Sequence, residues 1–215
     1  MGEQMNKITE KNEVNLLYEN IKRFIDISGA LVGLICLSPI MMIVSILIKL
    51  ESTGEVIFKQ KRVGLNGEEF YIYKFRSMVE NAEELKDSLQ KQNEMSGPMF
   101  KIRKDPRVTK VGKFIRKTSI DELPQLVNIL KGDMSLVGPR PSLPKEVENF
   151  EPWMKERLSV RPGLTCYWQV SGRSSMDFQE WMKSDIKYVR ERNIKLDIKL
   201  IVKTILVLFG DENAH

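Results

Sequence analysis

Asp121 and Glu122 stand side by side just after Ser119, where Leu123, Leu126, Val127 and Leu130 recur at helical spacing up to a Lys131-Gly132 stop. Carboxylates at a helix start face free amides and the positive end of the dipole, which favour their ionised form and also draw phosphate groups to the same place. A nucleophile and an anionic substrate can therefore share one site. The spacing also has a plainer reading, because acidic residues are ordinary in a first turn and Ser119-x-x-Glu122 fits a capping box. Two cations add weight to chemistry. Arg116 lies five residues before Asp121, and Arg140 sits between Pro139 and Pro141, whose rings stiffen the loop presenting a planar guanidinium suited to phosphate. Arg140 can equally cap a helix C-terminus or cover apolar surface.

Composition narrows what chemistry is open. The single His is His215, at the extreme C-terminus, which removes most histidine chemistry, and Cys36 and Cys166 lie far apart, which excludes a cysteine-rich metal site. Carboxylates, hydroxyls and cations remain. The two cysteines form no disulfide framework, which points to a reducing compartment. With 215 residues and 42% hydrophobic content the chain can build one sizeable core plus appendages. The net charge of +5 is unevenly spread: from Lys101 to Lys117 eight basic residues face one acid, Asp105. Such a cluster suits nucleotide, lipid or nucleic-acid phosphates, and is also what a solvated basic face looks like.

The elements that must position these groups begin with a membrane segment. Ile27 to Ile48 is a run of 22 residues without charge; as one helix it extends about 33 Å, enough to cross a bilayer. Lys22-Arg23 and Lys49 flank it. Ser38-Pro39 lies near its middle, where proline removes a backbone donor and the serine hydroxyl can satisfy the freed carbonyl. Two readings follow. A kinked helix can span, which the tolerance of membrane helices for proline favours; alternatively, two arms of about 18 Å each, too short to cross, can form a hairpin that returns to the same face.

Downstream, Val56 to Arg62 and Phe70 to Phe75 are β-prone and joined through Asn66-Gly67, predicting a hairpin with Tyr71, Tyr73 and Phe75 on one side. Val79 to Gln92 reads as an exposed amphipathic helix with Ala82, Leu85 and Leu89 as its apolar stripe. Met134 to Val170, with five prolines, reads as long irregular loops ordered by Trp153, Tyr167 and Trp168. Asp177 caps a helix to about Arg192, and Leu196 to Phe209 forms another, with Ile198, Ile201, Ile205, Leu208 and Phe209 against Lys199 and Lys203. That last pattern suits a membrane surface or a core-packed helix equally.

Taken in order, Lys22-Arg23, Ser38-Pro39, Arg62-Val63-Gly64, Tyr73 to Met78, Asp105-Pro106-Arg107, Asp121 to Gln125, Met134 to Pro141 and Arg161-Pro162-Gly163 resemble the bacterial sugar transferases, the monotopic polyprenyl-phosphate phosphoglycosyl transferases. The resemblance covers residues 20 to 210. It implies an α+β, mainly helical, membrane-associated domain: a polar segment 1–20, a re-entrant membrane helix over 21–50 broken at Ser38-Pro39, a cytoplasmic catalytic domain over 51–210 with a β-hairpin and C-terminal interfacial amphipathic helices, and a tail 211–215. Larger members carry a transmembrane bundle before this region, so the chain looks like the small, catalytic-domain-only form.

The implied reaction moves a sugar 1-phosphate from a UDP-sugar to undecaprenyl phosphate, releases UMP and initiates assembly of a capsule, exopolysaccharide, O-antigen or glycoprotein glycan. By resemblance Asp121 attacks the sugar-bearing phosphorus to form an aspartyl intermediate, and Mg2+ is held by Asp121 and Glu122. Lys74, Ser77, Arg116, Arg140 and Arg173 become phosphate or nucleotide contacts, and Asp185 a supporting acid. Ser77 and Asp185 can also cap helices, and Arg173 can close a turn. The resemblance selects the re-entrant reading and places the protein on the cytoplasmic face of the bacterial inner membrane, against inner-leaflet lipids, with no nucleic-acid partner. The stretch Asn93 to Lys101 is similar to members that transfer glucose or galactose 1-phosphate. The competing class is a membrane-anchored basic module that binds anionic lipid or nucleic acid without turnover; it leaves Asp121-Glu122 and the proline-framed Arg140 unexplained.

Overall fold

The uncharged segment folds as part of one long helix, α1, Gly2–Glu51. It belongs to a computed structural model that describes residues 2–85, 88–89, 93, 102, 105–170 and 177–210, with side chains described from residue 16 to residue 207. The expected break is absent: helical structure continues through Pro39. The carbonyl that Pro39 cannot bond is Ile35 O, and Ser38 Oγ donates to that atom at 2.8 Å, so the ladder is repaired locally.

Beyond α1 the elements are short. Strands β1, Ile57–Val63, and β2, Glu69–Phe75, pair antiparallel with Gln60 opposite Ile72. Asn66 and Gly67 take positive φ, 55° and 85°, in the connecting loop, as the Asn-Gly signal requires. Helices α2, Lys110–Lys117, and α3, Gln125–Lys131, follow, separated by a 3₁₀ turn at Ile120–Glu122. Then come β3, Ser135–Val137; α4, Pro144–Glu148; a 3₁₀ stretch, Pro152–Ser159; and β4, Gly163–Thr165. Helices α5, Tyr167–Val170, α6, Phe178–Glu191, and α7, Ile194–Gly210, complete the described chain.

Several expectations are corrected. The turn at residues 80–85 replaces the start of the helix expected over Val79 to Gln92; residues 86–87 and 90–92 lie outside the described ones. The prolines between Met134 and Val170 punctuate short elements rather than long loops: β3 and β4 pair in parallel, Ser135 beside Gly163 and Val137 beside Thr165. Gly138 and Gly163 make this pairing possible, since a Cβ on either would collide with the other segment's backbone. Tyr71, Tyr73 and Phe75 share one side of β2, as expected, but that side is not uniformly buried. Tyr71 is exposed, whereas Ile72 and Phe75 are buried in two separate clusters, because β2 is covered from both sides.

Those two clusters also receive the two arms of α1. Ala30 packs with Ile72, Leu126, Ile129 and Met134; Val44 and Ile48 pack with Phe75 and Ile115. Burying each of the larger of these side chains, Val, Leu, Ile, Met or Phe, contributes about 1.5–3 kcal/mol. Polar contacts reinforce the first arm. Arg23 donates to the last-turn carbonyls of α3, Ile129 O at 2.6 Å and Leu130 O at 2.8 Å, and Asp26 accepts from Ser135 Oγ and Leu136 N at 2.9 and 2.8 Å. Lys22 and Tyr18 reach Asp197 of α7 at 2.9 and 3.0 Å. At the other end Glu51 accepts from Lys110 N and Val111 N, capping α2 at 2.7 and 3.0 Å. Between the arms Leu34 packs on the first cluster and Met41 on the second. The outward face, including Val32, Ile35, Ile43, Ile46 and Leu50, is exposed.

Candidate active site

Asp121 lies in the 3₁₀ turn between α2 and α3, not on the first turn of a regular helix. The capping box is overturned: Ser119 adopts a left-handed conformation, φ 56°, and does not cap, because its backbone is turning the chain out of α2. Val127, expected on the buried face, is 38% exposed, while Asn128 and Ile129 are fully buried, since the 3₁₀ turn rotates α3 relative to a helix begun at Ser119. Asn128 earns its burial by tying α3 to β2, accepting from Tyr73 N at 3.0 Å and donating to Tyr71 O at 2.7 Å. This bond pins the dyad next to Lys74.

Lys74 Nζ meets Glu122 Oε1 at 2.7 Å. Asp121 is 9% exposed, and among the described residues its carboxylate receives no hydrogen bond. Burial pushes its pKa up to about 6, and Glu122 adds to the rise; Lys74, Arg116 and Arg140 oppose it. Three cations thus surround a buried carboxylate without being bonded to it, the state expected of a group kept for an incoming reactant.

The pocket beside the dyad is lined by Arg62, Lys74, Glu122, Gln125, Arg140 and Gln169, with Ile72, Leu164 and Gly163 as its apolar and backbone parts. Arg140 is held as the proline frame suggested: its guanidinium lies 5.4 Å from the Trp168 ring, and its carbonyl accepts from Arg157 Nη2 at 2.7 Å. Arg157 also donates to Ser142 Oγ and to Asp185 Oδ2, the latter at 2.6 Å. Asp185, on α6, is fully buried and does not line the pocket. It sits behind the Arg140 loop and acts on it through Arg157. Ser77 follows β2, and its carbonyl accepts from Thr109 N at 3.2 Å at the start of α2, the helix whose last turn carries Arg116. Arg173 lies outside the described residues.

Sequence reasoning missed Arg62, Gln125, Gln169 and Arg157. Arg62 was visible within Arg62-Val63-Gly64, but nothing local distinguishes a pocket arginine from a strand arginine. Arg62 is 9% exposed, donates to Pro141 O and Gln60 Oε1 at 3.0 and 2.7 Å, and is lowered to a pKa of about 10 by burial and by Arg140. Two like charges share the pocket wall, a cost that an anionic ligand relieves.

The sequence pattern of the bacterial sugar transferase family matches residues 17–211. The chain belongs to that family. This bacterial sugar transferase is 51% identical to the galactosyl transferase CpsE of Streptococcus agalactiae serotype III (strain NEM316), over 88% of the chain and 42% of the relative. It is 39% identical to the exopolysaccharide production protein ExoY of Sinorhizobium fredii (strain NBRC 101917 / NGR234), over 86% of the chain and 83% of the relative. Its identity to the UDP-glucose:undecaprenyl-phosphate glucose-1-phosphate transferase of Escherichia coli (strain K12) is 37%, over 91% of the chain and 41% of that protein. The sugar transferase spans about two fifths of the length of the first of these relatives.

Proposed function

We propose that the chain transfers a sugar 1-phosphate from a UDP-sugar to undecaprenyl phosphate with release of UMP, the first membrane step of a bacterial surface or exopolysaccharide. The observation that carries this reading is Asp121: buried, without a hydrogen-bonding partner among the described residues, and set among Lys74, Arg116 and Arg140 beside a cationic pocket. The relatives' names supply the substrate class.

In the proposed mechanism Lys74, Arg116 and Arg140 receive the diphosphate and lower the repulsion that a carboxylate meets on approaching it. An Asp121 oxygen attacks the sugar-bearing phosphorus, and the bond to the bridging oxygen breaks with its electron pair leaving on UMP. An oxygen of undecaprenyl phosphate then attacks the same phosphorus, which frees the Asp121 carboxylate and yields the lipid diphosphosugar. Arg62 and Arg140 on the pocket wall favour the same phosphates. Adjacent carboxylates from Asp121 and Glu122, with substrate oxygens completing the shell, fit the sparse protein ligation Mg2+ accepts. When bound it supplies further charge neutralisation at the diphosphate.

The arrangement of α1, a continuous helix with both arms on one domain, supports a one-sided placement on the cytoplasmic face of the inner membrane rather than a span. The helix holds a candidate span, Leu16–Glu51, with mean hydropathy 2.7 over its most apolar window. Its two arms, however, rest on one domain, and only Ile35 to Ile40 lies between the last residues packed on the two clusters. That is about 9 Å of helix against a hydrocarbon core of about 30 Å. A spanning helix would carry Lys22–Asp197 or Glu51 and the start of α2 into lipid. The exposed apolar face of α7, Ile198, Val202, Ile205 and Leu206, suits the interfacial role, while Leu200 on its other side is buried in the core.

The test is to mix the protein with Mg2+ and UDP-glucose or UDP-galactose and no lipid acceptor, quench, and measure intact mass. A gain of one phosphosugar mapping to Asp121 is the expected result, with UMP release in equal amount. Adduct-free protein that turns over only with both substrates bound would replace the two-step reading by direct transfer.

A further inference from the structure

The pocket beside the dyad contains polar atoms that the phosphate-binding reading does not use. Gln169, on α5, is 7% exposed and lines the pocket together with Lys74, Glu122 and Arg140. Its Nε2 donates to Leu164 O at 3.3 Å. A carbonyl only accepts, so the amide group must face Leu164, and the orientation of the carboxamide is settled by chemistry rather than by choice. The remaining atom, Oε1, is buried and has no hydrogen-bond partner among the described residues. Across the same lining Arg62 Nε is a buried donor in the same condition, although its two terminal nitrogens are bonded.

Buried polar groups are ordinarily paired, so orphans that line a pocket report what the pocket is built to take. A phosphate satisfies Arg62 but is repelled by a carbonyl oxygen. Gln169 Oε1 requires an O–H or N–H donor. A sugar hydroxyl both donates and accepts, which matches an acceptor and a donor on one wall. Position favours the transferred sugar, because the phosphate Asp121 attacks is the one bearing it, and Glu122 and Lys74 belong to the same lining. Resting on the reaction proposed above, we propose that Gln169 Oε1 accepts a hydrogen bond from a hydroxyl of the transferred sugar, making Gln169 a sugar-reading residue.

The contact is a coupling between one side chain and one hydroxyl, and it is measured as such. Wild-type protein and Gln169→Leu are compared on UDP-glucose, UDP-galactose and their monodeoxy analogues, by UMP release with Mg2+ and undecaprenyl phosphate. In the wild type one deoxy analogue should lose roughly 10- to 100-fold in kcat/KM. In Gln169→Leu the parent sugar should fall by a similar factor, and the penalty for that same deletion should disappear, because its partner is gone. Gln169→Glu, which keeps an acceptor oxygen at the position, should retain part of the discrimination. Penalties that are unchanged in Gln169→Leu for every deoxy analogue overturn the proposal.

A binding arm separates this proposal from the reaction it rests on. Affinities of UDP and UDP-glucose are measured calorimetrically on both proteins, which requires no turnover. If wild type releases no UMP, the reaction fails, yet a gain in affinity from UDP to UDP-glucose that Gln169→Leu loses still upholds the sugar contact. If Gln169→Leu weakens UDP and UDP-glucose equally, the donor belongs to the nucleoside and the sugar assignment is overturned.

Discussion

Asp121 and Asp185 are both buried aspartates whose carboxyls burial pushes up to about 6. Their surroundings differ. Asp185 is wholly inaccessible, and Arg157 closes on it at 2.6 Å with both side chains out of solvent. Asp121 keeps a small opening and no bonded cation among the described residues; Lys74 is bonded to Glu122 instead, and Arg116 and Arg140 act from a distance. The raised carboxyl is therefore no mark of chemistry by itself. What separates the two is whether the opposing charge is already joined: a closed pair holds a loop in place, whereas an open one is available to a substrate.

The sharpest way to break the comparison is to neutralise each acid in turn. Asp121→Asn should lower turnover by roughly a thousandfold or more, since no nucleophile remains. Its thermal midpoint should hold or rise, because a buried charge without a bonded partner is removed. Asp185→Asn should do the reverse at the level of folding. It leaves the buried Arg157 without its counter-charge, a loss of about 3–5 kcal/mol that calorimetry or chemical denaturation will register. Replacing both partners together, Asp185→Leu with Arg157→Met, should recover much of that stability while the Arg140 loop loses its two hydrogen bonds to Arg157. Stability equal to wild type in Asp185→Asn alone would show that the pair does not hold the loop.

A smaller effect is expected from pH. Both carboxyls hold a proton up to about 6 in the folded protein against 3.8 when unfolded, so the folded state binds more protons between those values. Stability of the metal-free protein should then fall as pH rises from about 4 to 6, each acid contributing on the order of 2–3 kcal/mol across the window. Asp121→Asn should remove its share of that slope and leave the share from Asp185. Unfolding curves at a series of pH values read the difference. The smallest effect belongs to Arg140→Lys, which keeps charge but loses the planar fork and its stacking on Trp168; kcat/KM should drop about tenfold with the thermal midpoint little changed. Near-normal turnover would assign Arg140 to general electrostatics.

The sequence determined what depends on neighbours along the chain. Asn66-Gly67 placed the hairpin because both residues tolerate positive φ, and Asp177 caps α6 through Glu180 N at 2.8 Å as its position foretold. Asp121-Glu122, Arg140 in its proline frame and the apolar run around Ser38-Pro39 were legible for the same reason: residue type and spacing alone carry them.

Tertiary structure decided the rest, because it rests on partners far apart in the chain. Ser119 looked like a cap until packing of α3 against β2 through Asn128 required a 3₁₀ turn there, with the serine itself left-handed. Asp185 read as a site acid; its meaning came from Arg157, which lies 28 residues away and is sealed in the same core. Gln169 carried no local signal at all, since an orphaned acceptor exists only once the pocket has closed around it. Nor could hydropathy reveal how the long apolar helix docks. A run of apolar residues records length, whereas the docking of both arms on one domain, through Arg23 and Asp26 at one end and Glu51 at the other, is a property of the folded chain.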